Sequence, residues 1–132
     1  MGAEQKHIVL FKPDEDLGEI YRSGILYLQR DIDVKIISSE SDALEFFTQE
    51  KQGVVFVDLD FDRAAAFHFI DQLTLPGSPY TDVAIVTSTA DGDPMLQQLM
   101  EHKGVYFHLV LPFSIDDLQH VVTSLVPRER EH

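Results

Sequence analysis

Five short apolar runs rich in β-branched residues recur along the chain, and polar segments with helical spacing separate them. The runs are HIVLF at 7–11, VKII at 34–37, GVVFVDL at 53–59, VAIVT at 83–87 and VYFHLVL at 105–111. The third and fourth runs are apolar almost throughout, which is typical of central parallel strands covered on both faces. The pattern predicts five strands that alternate with five helices.

Helix start signals follow several of these strands. They are Asp42 followed by Glu45, Asp93 followed by Pro94, and Ser114 followed by Asp117. The first turn of a helix leaves backbone N–H groups without partners. A side-chain oxygen at the helix start accepts one of these hydrogen bonds, and a proline there has no N–H that needs a partner. The strand–helix alternation predicts an α/β fold, a doubly wound five-stranded parallel sheet with helices on both faces. One domain is predicted over 1–126, and the polar residues 127–132 are interpreted as a tail or the start of a linker.

Composition and charge narrow the classes of function. Ten basic residues against 23 acidic ones give a net charge of −13, which repels phosphate backbones and anionic lipid surfaces. We therefore expect no direct nucleic-acid binding and no membrane binding. The absence of cysteine excludes disulfides, thiolate metal sites and a cysteine nucleophile. No signal-peptide core is apparent, and the sequence predicts a soluble cytoplasmic protein.

Carboxylates cluster after two of the predicted strands, where an open parallel sheet binds its ligands. Asp58 closes the third strand, Asp60 and Asp62 follow it, and the three carboxylates indicate either cation binding or a solvated loop. Asp14 lies in the acidic segment KPDED after the first strand, where a metal site or a helix start could account for the acids. Carboxylates are favoured at the positive end of a helix dipole, so we interpret KPDED as a helix start.

The residues at the strand ends resemble those of the response regulator receiver domain, the phospho-acceptor module of two-component signalling. The resemblance covers residues 7–126 and depends on Asp58 ending the third strand, Thr87 ending the fourth, and Leu111 with Pro112 in the turn after the fifth. It implies a flavodoxin-like (βα)5 fold. The bond before Pro112 is left open as cis or trans.

The resemblance also implies roles for individual residues. Asp58 matches the aspartate that accepts a phosphoryl group from a histidine kinase, and Thr87 matches the residue that hydrogen-bonds the phosphoryl oxygen. His108 stands where the family has an aromatic switch residue, and a histidine there would add a pH-sensitive charge. A half-buried strand histidine without a switching role is the alternative.

Two departures from the family pattern predict an atypical or pseudo-receiver variant. The acidic pair that helps to bind Mg²⁺ is replaced by Lys12 and Pro13, and the lysine before Pro112 is replaced by Leu111. Asp14, Asp58 and Asp60 remain as weak ligands, so we expect weak or absent Mg²⁺ binding. Lys12 is a candidate substitute for the missing lysine. Our hypothesis is that an ion pair with Lys12 neutralises the Asp58 carboxylate without a metal ion.

The leading interpretation is therefore a receiver-type interaction module that is not an enzyme. Its predicted contact surface consists of the fourth helix, fifth strand and fifth helix, and its predicted partners are a histidine kinase, another signalling protein, an effector domain or a second copy. The alternative is a working Mg²⁺-dependent switch that is phosphorylated, and dephosphorylates itself, at Asp58. A phosphate-binding flavodoxin is disfavoured because KPDED offers acids instead of glycines and hydroxyls. No hydrolase motif occurs.

Overall fold

The computed structural model describes residues 7–11, 15–28, 32–50, 52–111 and 114–125. Strands and helices alternate through these residues, as the sequence predicts. In chain order they are β1 (His7–Phe11), α1 (Glu15–Leu28), β2 (Asp33–Ile37), α2 (Glu40–Glu50), β3 (Gly53–Asp58), α3 (Arg63–Thr74), β4 (Val83–Thr89), α4 (Pro94–His102), β5 (Phe107–Val110) and α5 (Ile115–Leu125).

The strands form one parallel sheet in the order β2-β1-β3-β4-β5. β3 lies in the middle, and all six of its residues are buried, which explains its continuous apolar sequence. The strand order reverses direction between β1 and β3, so the carboxyl end of β3 lies beside the switch point where such sheets bind ligands. The predicted doubly wound parallel sheet is confirmed.

Helices cover both faces of this sheet and create two hydrophobic cores. Alternate strand residues point to opposite faces, so odd positions such as Val55 and Val57 pack against α2, α3 and α4. Even positions such as Val54 and Phe56 pack against α1 and α5. Within the described residues, no helix has the length and apolar character needed to cross a membrane.

Two of the predicted helix starts are confirmed by their hydrogen bonds. Asp93 accepts a 3.0 Å bond from the backbone N–H of Met95, one residue into α4 beyond Pro94. Before α5, the hydroxyl of Ser114 accepts from the N–H of Asp117 at 3.1 Å. The carboxylate of Asp117 accepts in return from the N–H of Ser114 at 2.9 Å. These reciprocal bonds satisfy donors that the first turn leaves unpaired.

The predicted start of α2 is wrong by a few residues. α2 begins at Glu40, and the hydroxyl of Ser39 accepts the N–H of Asp42 at 3.3 Å. Asp42 therefore lies in the first turn, where its charge complements the helix dipole, and it does not precede the helix. Ser39 is the better capping residue because its short hydroxyl reaches the third N–H of the turn.

The predicted end of β4 is also wrong, and this changes the site. β4 continues past Thr87 to Thr89, because the parallel ladders on both sides continue. Ser88 pairs with Asp58 of β3, and Thr89 pairs with Val110 of β5. The carbonyl of Thr89 then accepts the N–H of Leu111 at 2.7 Å. Thr89, and not Thr87, is the hydroxyl residue at the carboxyl end of β4.

Candidate functional site

Asp58 lies at the carboxyl end of the central strand, as the sequence predicts. Its residue is 9% exposed, so the carboxylate is largely removed from water. One oxygen, Oδ1, accepts a hydrogen bond of 3.0 Å from the backbone N–H of Asp60. This bond stabilises the turn in which the chain leaves β3, and Asp60 lies on the side of the turn that faces β4.

Asp60 joins the loop after β3 to the loop after β4. Its Oδ1 accepts the hydroxyl of Thr89 at 2.7 Å, and its Oδ2 accepts the backbone N–H of Ala90 at 2.7 Å. Arg63 adds a longer contact of 3.5 Å to the same carboxylate. Both oxygens of Asp60 are therefore engaged by donors, at distances typical of charge-assisted hydrogen bonds.

These donors favour the charged form of Asp60. Partial burial acts against the charge and raises the pKa of the carboxyl, but this effect is overcome. Hydrogen bonds from Thr89 and Ala90, together with the positive charge of Arg63, hold the pKa of Asp60 below its ordinary value. Asp60 is consequently an anion at neutral pH.

Thr87 and His108 form a second polar contact, one layer below the strand ends. The hydroxyl of Thr87 lies 2.8 Å from Nδ1 of His108, and the two residues are paired in the β4–β5 ladder. Thr87 is fully buried, and the other ring nitrogen of His108 is buried without a hydrogen-bond partner in the described part of the chain. Burial lowers the pKa of His108, while Asp91 and Glu101 act in the opposite direction.

The opposite face of the sheet places a tyrosine near the same strand ends. Tyr21 of α1 is 2% exposed and packs against the ring of Phe56 at 5.0 Å between centroids. Burial raises the pKa of the Tyr21 phenol, interaction with the Ser88 hydroxyl lowers it, and the carboxylate of Asp58 raises it further. The net shift is upward, so Tyr21 is a neutral polar group near Asp58.

Asp62 and Arg63 make the contacts at the start of α3. Asp62 caps α3 by accepting the N–H of Ala65 at 3.1 Å. Arg63 lies between two carboxylates, 3.5 Å from Asp60 and 3.9 Å from Asp91. Asp58 at the end of β3 thus turns the chain, Asp60 bridges to β4 and Asp62 caps α3.

The structure brings together only some of the residues that the sequence nominated. Asp58 and Asp60 are adjacent, while Thr87 contacts His108 instead of the aspartate loop. Lys12, Asp14 and Pro112 lie outside the described residues, so their predicted roles stay predictions. Leu111 follows β5 directly and is half-buried.

Sequence reasoning missed Thr89 and Ala90. Asp93 and Pro94 mark the start of α4, so a strand that ends at Thr87 leaves five residues as a loop and one that ends at Thr89 leaves three. Both lengths are ordinary for a loop between a strand and a helix. The only signal for the longer strand is Thr89 itself, because threonine is a residue type enriched in strands.

Asp58 and Asp60 are the two nominated magnesium ligands that the structure describes. Within the residues that the structure describes, no group of three histidine, aspartate or glutamate side chains is placed to hold a metal. Mg²⁺ is held by oxygen ligands in near-octahedral geometry, and Asp60 would have to share or give up its bonds to Thr89 and Ala90 to bind the ion. Asp58 alone would supply a single carboxylate.

Comparison with known proteins identifies the fold. No protein-family model and no curated protein matches the sequence. The signal receiver domain of a DNA-binding response regulator (merR) from Colwellia psychrerythraea 34H matches with a TM-score of 0.80 at 15% identity, covering 94% of this chain and 100% of that chain. Chemotaxis protein CheY4 from Vibrio cholerae matches with a TM-score of 0.75 at 15% identity, and the match covers 93% of this chain and 100% of that chain.

A larger protein matches over one part of its length. NtrX from Brucella abortus, whose structure is a complex with ADP, has a TM-score of 0.72 at 16% identity, and the match covers 93% of this chain but 26% of that chain. The same fold thus occurs in a separate chemotaxis protein and within a longer regulator. The chain described here has the fold of response regulator receiver domains.

Proposed function

We propose that this chain is an atypical receiver module of two-component signal transduction, which works in the cytoplasm by binding another protein. Support comes from the receiver fold and from the position of Asp58 at the end of β3. The single observation that carries the interaction role is an exposed apolar surface beside this site.

This surface, called the α4–β5 face below, consists of Met95 and Leu99 on α4 with Tyr106 and Val110 at β5. Met95 is 75% exposed and Tyr106 is 61% exposed, so large apolar side chains face water. Val110 pairs with Thr89 in the β4–β5 ladder, so these two side chains lie on the same side of the sheet. Apolar side chains grouped in this way are typical of protein-interaction sites.

The α4–β5 face is connected to the candidate site through Thr89. Its hydroxyl bonds Asp60, its carbonyl accepts the N–H of Leu111 after β5, and the loop that follows it leads directly into α4. A change in the loop around Asp60 therefore reaches α4 and the end of β5 through hydrogen-bonded neighbours. The function that this arrangement supports is presentation of the face to a partner.

The chemistry of the partner follows from charge. A net charge of −13 favours a partner with a basic rim around an apolar patch and disfavours nucleic acid. The proposed partner is a histidine kinase, another signalling protein or an effector domain with such a surface, whereas a second copy carries the same negative charge and is disfavoured by repulsion. The chain itself catalyses no reaction in this proposal.

The proposal is tested by binding to a panel of purified histidine kinase core domains, measured by calorimetry. The variant Met95→Ser with Tyr106→Ser removes the apolar surface, and we expect at least about tenfold weaker binding because such side chains dominate interface energies. Tyr27→Ser is the matched control, since Tyr27 of α1 is also 75% exposed but lies away from this face. Equal loss of affinity in both variants, or no effect of the double variant, would contradict the proposal.

The second candidate is a working phospho-acceptor, which the placement of Asp58 at the strand end favours. In that reaction the bond between phosphorus and the kinase histidine nitrogen breaks, and a bond forms to a carboxylate oxygen of Asp58. Incubation with acetyl phosphate followed by intact-mass measurement separates the two candidates. A gain of one phosphoryl group that Asp58→Asn abolishes would favour the phospho-acceptor.

A further inference from the structure

We propose that Asp60 fills, from within the chain, an oxyanion site between the β3–α3 and β4–α4 loops. In doing so it holds the α4–β5 face in one arrangement without a phosphoryl group on Asp58. The inference rests on the proposed function, because it assigns the regulation of the same site.

The donors around Asp60 form a site suited to an oxyanion. The Thr89 hydroxyl and the Ala90 N–H point to different oxygens of one carboxylate, each at 2.7 Å. Arg63 adds positive charge at 3.5 Å. A hydroxyl, a backbone N–H and a guanidinium that converge on one position bind carboxylates and phosphoryl groups by the same chemistry.

A phosphoryl group on Asp58 would compete with Asp60 for this site. Asp58 already accepts the N–H of Asp60, so its carboxylate lies at the base of the same loop. A phosphoryl group carries about 1.5 to 2 negative charges near neutral pH, and it would repel the Asp60 carboxylate beside it. Phosphorylation would therefore have to displace Asp60 before Thr89 and Ala90 became available.

The occupied site fixes the segment that leads to the α4–β5 face. Besides bonding Asp60, the Thr89 hydroxyl oxygen accepts the N–H of Asp91 at 2.9 Å. Asp91 in turn accepts the N–H of Asp93, which caps α4. These bonds run without a break from Asp60 to the first turn of α4. Loss of the Asp60 carboxylate would release the loop and the start of the helix together.

Methyl and amide NMR spectra of the full chain test this inference. Asp60→Asn keeps the size of the side chain but removes its charge and one acceptor. We expect the methyl signals of Met95, Leu99 and Val110 to shift, and hydrogen exchange at Ala90 to accelerate about tenfold or more as a charge-assisted bond is lost. Thr89→Val should shift the same signals in the same direction, whereas Thr89→Ser, which keeps the hydroxyl, should resemble the unmodified chain.

Asp82→Asn is the matched control, because it also replaces an exposed carboxylate but lies in the loop before β4, at the amino end of that strand. Its methyl spectrum and its Ala90 exchange should stay close to those of the unmodified chain. An unchanged Asp60→Asn spectrum, or equal shifts in Asp82→Asn, would overturn the inference. Failure of the proposed function is detected separately, as kinase binding that is insensitive to the Met95 and Tyr106 substitutions.

Discussion

The carboxylate of Asp60 accepts a hydrogen bond of 2.7 Å from the hydroxyl of Thr89, which lies 29 positions further along the chain. This contact joins the ends of two neighbouring strands at the edge of the sheet where ligands bind in such folds. It makes Thr89 the hydroxyl residue that bonds Asp60, while its neighbour Ser88 pairs with Asp58 in the ladder. Thr87 lies deeper and is bonded to His108.

Removal of the Thr87 hydroxyl should destabilise the fold. Thr87→Val leaves Nδ1 of His108 without its partner in a buried position, and we expect a loss of about 1–3 kcal/mol in the free energy of unfolding. His108→Phe should be destabilising as well. In the double variant the loss should be smaller than the sum, because both substitutions remove the same bond. Urea denaturation measures all three values.

Thr123→Val is the control for this series. Thr123 is exposed on α5 and bonds only backbone carbonyls of its own helix among the described contacts, so its replacement should cost less than about 0.5 kcal/mol. Additive effects of Thr87→Val and His108→Phe would show that the bond between them contributes nothing to stability.

The lowered pKa of His108 predicts how stability depends on pH. In the unfolded chain the imidazole takes up a proton near pH 6.5, whereas in the folded chain it does so only at lower pH. The contribution of the neutral imidazole is therefore fully present above pH 6.5 and is lost as the pH falls from 6.5 through the folded pKa. His108→Phe should flatten the stability curve in this window.

The neighbours of His108 give a second check on the same titration. Asp91 and Glu101 raise the pKa of His108 against the effect of burial, so Asp91→Asn or Glu101→Gln should lower it further. NMR titration of the ring protons measures this directly. A folded pKa at or above 6.5 in the unmodified chain would contradict the burial of Nε2.

Gly53, at the start of β3, lies where any larger residue would clash with its neighbours. A Cβ atom there would lie 2.9 Å from the carbonyl oxygen of His7 and 2.9 Å from Cε1 of Phe47, and the His7 contact involves backbone that cannot easily move. Gly53→Ala should therefore destabilise the fold by about 1–3 kcal/mol. Gly92→Ala is the control, because its Cβ would meet only Cγ1 of Val110 at an ordinary 3.8 Å. Equal unfolding midpoints for the two variants would refute the argument.

The sequence predicted the fold because the features that specify it are local. Apolar runs, helix caps at Asp93 and Ser114, and strand–helix alternation can each be recognised within a few residues. The errors at Asp42 and Thr87 also have a local cause. Ser39 and Thr89 are polar residues that suit both a turn and an element end, so the pattern left the boundaries of α2 and β4 uncertain by two to three residues.

The arrangement of the site could be predicted only in part. Asp58 was found because a carboxylate at the end of a buried strand needs partners, and Asp60 because it follows at the same edge. The bonds from Thr89 and Ala90 to Asp60 depend on the register of β3 against β4, which periodicity does not determine. The same limitation left the Thr87–His108 bond unforeseen.

The most direct test of the central proposal, that this chain signals by binding another protein and not by phosphorylation, is an NMR titration. The full chain is titrated with Mg²⁺ to millimolar concentration and then with beryllium fluoride, a mimic of the phosphoryl group on aspartate. With Asp60 holding Thr89 and Ala90, we expect no saturable shifts at Asp58, Asp60 or Thr89 and an intact fold. Saturable shifts at these residues, accompanied by a change at His108, would contradict the account and identify a working phospho-acceptor.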